Sequence, residues 1–152
     1  MYGARWIYKL GLALLVRDEK QVAHVRVQVI DYGAVCEGLL SAMIHRGLSQ
    51  SLLAGAKFRV NDTVRLRDPI AWNRGNIDLE LPKRSFHWLI EVAAEEQMIS
   101  AKLAKNLHGL RKERNTIHVR TRTYKAYIGT SKHLFTVLHD TIEETKAWRA
   151  AH

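Results

Sequence analysis

Cysteine is nearly absent: Cys36 is the only one in 152 residues. One thiol builds no disulfide within a chain and no cysteine-based metal site, and it fits a reducing, intracellular compartment. Proline occurs only at Pro69 and Pro82, and glycine nine times, so few positions interrupt a helix. No run approaches the roughly 18 consecutive apolar residues of a membrane span. The apolar stretch Leu10–Val16 follows Arg5 and Lys9 in the manner of a signal peptide. It is short, lacks a small-residue cleavage site and runs into Arg17-Asp-Glu-Lys20, so it reads as part of a helix. A Gly-rich phosphate loop is missing too. Apolar content of 47% excludes a disordered chain. The length suits a single domain over 1–152 with its own core.

Acidic residues are scarce where basic ones gather. The net charge is +9, and residues 1–100 hold 13 basic against 11 acidic side chains. Residues 101–152 hold 11 against 4, and within 111–125 six basic residues face one acid, Glu113. A positive field focused on one segment fits a polyanion such as RNA.

Spacing of the apolar residues predicts helices. One covers 4–16. A second begins near Glu19 and runs to about Arg46, with Val22, Val25, Val29, Tyr32, Cys36, Leu40 and Met43 in steps of three and four, and Gly47 as its stop. Residues 48–81 are the least regular, with short helical pieces at 50–58 and 62–70 and an extended approach over Leu79–Pro82. Pro82 opens a helix over about 82–97 that carries Phe86, Leu89, Ile90 and Ala93 on one face. Ser100 caps the next, with Leu103, Leu107, Leu110 and Ile117 as its stripe. After a break near Gly129, Thr130 or Ser131 caps a last helix with Leu134, Phe135, Leu138, Ile142 and Trp148 inward. The sum is an all-α, antiparallel bundle of four to five helices.

The densest chemistry lies in Leu110-Arg-Lys-Glu-Arg-Asn-Thr-Ile-His-Val119. On a helix, Arg111 and Arg114 fall within about 40° of His118 around the axis. Two guanidinium groups and an imidazole on one strip can grip a phosphate and move a proton. Arg114 also follows Leu110 by four, so it points toward a neighbouring helix and needs a partner or a wet cleft. His108, Lys112, Arg120, Arg122 and Lys125 extend the strip as RNA contacts, chiefly to phosphate. His24, His45, His87, His133, His139 and His152 show no ligand spacing, so no metal and no cofactor are expected.

Three segments together resemble a HEPN domain (higher eukaryotes and prokaryotes nucleotide-binding). They are Ile30-Asp-Tyr-Gly-Ala-Val-Cys-Glu-Gly-Leu-Leu40, Ser85-Phe-His-Trp-Leu-Ile-Glu-Val-Ala-Ala94 with Met98-Ile-Ser100, and Leu107-His-Gly-Leu-Arg-Lys-Glu-Arg-Asn-Thr-Ile-His118. The third resembles the family's signature, an Arg followed by a polar residue and then a His. The family's usual spacing has four to six residues between Arg and His. Arg114-Asn115 has the right pair but only three intervening residues; Arg111 has six, but Lys112 follows it.

The resemblance implies metal-independent endoribonuclease cleavage. His118 would transfer protons, Arg111 and Arg114 would bind the phosphate oxygens, and Asn115 would orient His118 or the ribose. It implies a homodimer with two such strips across one cleft; the lone cysteine and the lack of a long apolar run make a cytoplasmic protein without a membrane the expectation. By analogy it also implies a toxin of a toxin–antitoxin or defence system, with an antitoxin protein as partner. The shortened Arg–His spacing supports an alternative, a catalytically inactive HEPN module that binds RNA, a nucleotide or a protein partner. A basic helical dimerisation protein is a third reading.

Overall fold

The computed structural model describes the backbone of residues 19–53, 77–119 and 128–152, with the side chains of 19–23, 118, 119 and 128 outside the described set. Within it the chain is all-α. The helices are α1 (Glu19–Ser49), α2 (Ile77–Glu80) with a following 3-10 turn (Leu81–Lys83), α3 (Phe86–Glu95), α4 (Ala101–Val119) and α5 (Ile128–Ala151). No strand occurs among the described residues. The expected helix at 4–16 and most of the expected pieces at 50–58 and 62–70 fall outside the described residues.

α1 is the hub, packing against α3, α4 and α5. Its stripe Val25, Val29, Tyr32, Cys36, Leu40 and Met43 is wholly buried. Trp88, Leu89 and Ile90 of α3, Leu103, Leu107 and Leu110 of α4, and Leu134, Val137 and Leu138 of α5 close on it. By length and composition His24–Ser49 is also long and apolar enough to cross a membrane, which the count of uninterrupted apolar residues did not show. In the fold its apolar stripe is covered by the other helices, as in the core helix of a bundle.

The helices are not antiparallel throughout. Ser131 Oγ donates to Gln28 Oε1 at 2.6 Å, the Tyr32 and Phe135 rings meet edge to face, and Cys36 Sγ donates to Thr141 Oγ1. These contacts advance together along both helices, so α1 and α5 run parallel. α4 is antiparallel to α5: Ser100, at its start, donates from backbone and hydroxyl to the Glu144 carboxylate near the far end of α5. The buried Gln28–Ser131 bond fixes the parallel pair in register.

Several boundaries differ from the sequence reading for local reasons. α1 does not stop at Gly47. It runs on to Ser49 and ends with Ser51 in the left-handed region at φ 57°, with Leu52 N–H on the Gly47 carbonyl and Ser51 N–H on that of Leu48. Gly47 serves packing instead: a Cβ there would lie 2.8 Å from Leu53, where the chain returns across the helix end. α3 ends the same way, with Gln97 at φ 56° and Met98 N–H on the Ala93 carbonyl. Leu79–Pro82 is helical rather than extended, because Ile77 and Leu81 must both turn inward. Pro82 sits in the 3-10 turn, and α3 begins at Phe86 with Ser85 Oγ accepting from Trp88 N–H. Thr130 and Ser131 lie inside α5 and do not cap it. Ser100 does cap α4, its hydroxyl accepting from Leu103 N–H.

Candidate functional site

α4 positions the residues of interest by its rotation. Each step of three residues turns the helix by about 60°. His108, Arg111 and Arg114 therefore fan from the seam with α3 to the seam with α1. Leu103, Leu107, Leu110 and Ile117 anchor the helix in the core beneath them.

Arg114 finds the partner its position demands. Its Nη1 donates to Glu37 Oε2 of α1 at 2.5 Å, and both side chains are half-buried. Gly33, one turn before Glu37, makes room: a Cβ there would fall 2.9 Å from Arg114 Cδ. The guanidinium thus lies along α1 with its charge largely matched by one carboxylate.

His108 faces the other seam. Its Nε2 lies 2.9 Å from Glu91 Oε1 on α3, and His87 Nδ1 lies 3.8 Å from the same oxygen. The two imidazole rings are tilted at a centroid separation of 5.2 Å. Burial pushes the His108 pKa below its ordinary value; the charges of His87 and Arg111 push the same way, and Glu91 opposes them. Its neutral form is therefore favoured.

Arg111 lies between these two pairs, half-buried. It forms no ion pair among the described residues, and its buried Nε has no hydrogen-bond partner there. Lys112 and Asn115 are exposed. The backbone at 118 is helical, and the His118 side chain lies outside the described residues, as do Arg120, Arg122 and Lys125. Of the expected strip, the fold leaves Lys112 and Asn115 toward solvent and Arg111 half-buried without an ion pair among the described residues. It commits Arg114 to α1 and His108 to α3.

Sequence reasoning missed Glu37, Glu91 and His87 as members of the site. The i, i+4 spacing of His87 and Glu91 was a readable signal of adjacency; that His108 would join them was not. Glu37 stood within the segment that carried the HEPN resemblance, but its pairing with a residue 77 positions away is a matter of tertiary packing.

A cleft of about 570 Å³ lies elsewhere, at the start of α4, lined by Met98, Ser100, Glu144, Trp148 and His152 among others. Arg114 stands 14 residues beyond Ser100, roughly 20 Å along the helix, so the cleft does not belong to the basic strip. Compared with protein-family models, with curated proteins and with solved structures, the chain shows no significant match.

Proposed function

We propose that the chain acts on RNA through the basic end of α4, as a metal-independent endoribonuclease of the HEPN type. The observation that carries this reading is the division between two guanidinium groups one turn apart. Arg114 is held by Glu37, whereas Arg111 has no ion pair among the described residues. A cation with no ion pair among the described residues, in the most basic part of the chain, is a ready contact for a phosphodiester.

In this reading Arg111 binds the non-bridging oxygens of the scissile phosphate. His118 takes the proton from the ribose 2′-hydroxyl or delivers one to the departing 5′-oxygen; an imidazole of ordinary pKa near ~6.5 serves either step. The 2′-oxygen bonds to phosphorus as the bond to the 5′-oxygen breaks, leaving a 2′,3′-cyclic phosphate. Asn115 orients the imidazole or the ribose, and Lys112, Arg120, Arg122 and Lys125 hold the flanking phosphates. A homodimer joining two such strips and an antitoxin protein as partner belong to the same proposal through the family resemblance, and a cytoplasmic site away from membranes belongs to it through the single cysteine and the lack of a long uninterrupted apolar run.

The test is cleavage of a mixed RNA pool by purified protein, with product ends examined for cyclic phosphate. His118→Ala is expected to abolish cleavage and to leave most binding. Cleavage that survives this change, or that requires magnesium, overturns the mechanism. The Glu37–Arg114 pair favours a second reading, a non-catalytic RNA-binding module, because it withdraws one of the two arginines from the substrate. RNA binding without cleavage by the unaltered protein is the outcome that selects it.

A further inference from the structure

The seam between α3 and α4 holds a second constellation that the RNA reading does not use. His87 and Glu91 stand one turn apart on α3, and His108 reaches them from α4. One potential donor atom from each lies within 4.8 Å of the others. We propose that His87, Glu91 and His108 form a binding site for one divalent transition-metal ion of the zinc class, tying α3 to α4.

Two imidazoles and one carboxylate are a donor set suited to such an ion and poorly suited to magnesium or calcium, which take oxygen ligands. A tetrahedral ion with bonds of about 2.0–2.1 Å sets its ligand atoms roughly 3.3–3.5 Å apart. The observed separations from Glu91 Oε1, 2.9 Å to His108 Nε2 and 3.8 Å to His87 Nδ1, bracket that distance. The donor atoms of the two imidazoles lie within 4.8 Å of one another, so side-chain rotation must bring the ligands to the ion's spacing. His87 and His108 are sheltered, at 18% and 24% exposure, while Glu91 at 45% leaves an entry path. Metal ligation requires neutral imidazole, so the ion competes with protons for both histidines. The set supplies three ligands and leaves a fourth position to water or an oxyanion. Arg111 lies one turn beyond His108 on the same helix, close enough to act electrostatically on the His108 imidazole.

The ligands come from two helices, so the ion acts as a clamp between them. Binding should therefore raise thermal stability as well as being measurable directly. It is independent of the RNA proposal, because it is read by metal binding and not by cleavage.

The experiment is calorimetric titration of chelator-treated full chain with zinc chloride, alongside the visible absorption of the cobalt(II) form. One ion per chain is expected, with tetrahedral-type cobalt absorption and a higher melting temperature. Glu91→Gln and His108→Ala should each weaken binding by about tenfold or more. Glu91→Gln keeps the size of a half-exposed side chain, and circular dichroism verifies the helices. Changing the exposed His133 and His139 to Ala should leave binding unchanged. Absence of zinc binding, or zinc affinity unaltered in both Glu91→Gln and His108→Ala, overturns the proposal, as does loss of binding in the His133/His139 variant.

Discussion

Arg114 reaches across the bundle to Glu37 and lies along the face of α1 that Gly33 leaves open. The contact joins the helix that carries the basic strip to the hub of the core. It sets how much positive charge that strip offers.

Removing either partner should shift RNA affinity in opposite directions. Glu37→Gln deletes the counter-charge and should strengthen RNA binding while weakening the fold by about 1–2 kcal/mol. Arg114→Ala should weaken both RNA binding and the fold, since its stem also packs on α1. Fluorescence anisotropy with a labelled RNA at two salt concentrations, with chemical denaturation alongside, measures both. The same sign of change in affinity for the two variants would remove the pair from the account of binding.

Arg111→Ala should reduce RNA affinity and cleavage more than it reduces stability, because its guanidinium is in no ion pair among the described residues. Its salt dependence of binding should also be shallower by about one phosphate contact. A larger loss of cleavage at Arg111 than at Arg114 makes Arg111 the catalytic partner of His118.

Gln97→Gly should stabilise the protein by about 1 kcal/mol, because a residue with a Cβ is held there at φ 56°. A rise of several degrees in melting temperature is the expected result. An unchanged or lower value would show that the Gln97 side chain contributes contacts that outweigh its backbone cost.

Cys36 should resist alkylation in the native protein. It is fully buried, its Sγ donates to Thr141 Oγ1, and burial pushes its pKa up to about 11. The thiol form dominates at neutral pH, and access requires opening of the α1–α5 seam. Mass spectrometry after iodoacetamide treatment, with and without denaturant, should show labelling only when denatured.

Stability should fall on acidification below about pH 6.5, and His108 contributes to that fall. Its folded pKa is depressed from 6.5 by burial first. Above that value both states are neutral and the group is silent. Below it the unfolded chain takes up a proton that the folded chain resists until its own lower pKa, so unfolding gains. Denaturation midpoints between pH 5 and 8 should show this slope reduced in His108→Asn.

The sequence by itself determined the helical class, because apolar steps of three and four and the scarcity of Pro and Gly allow little else. It also placed the buried stripes of α1 and α4, the Ser100 cap and the demand of Arg114 for a partner, all of which depend on residues within a few turns. Only the tertiary structure decided that Glu37 would be that partner, that His108 would meet His87 and Glu91, and that α1 and α5 run parallel. Those facts join residues far apart in sequence, and periodicity on one helix carries no information about which helix lies opposite. The same limit explains Gly47. As a glycine at a helix end it reads as a stop, whereas the return of Leu53 over that end gives it a packing role and leaves the left-handed turn to Ser51.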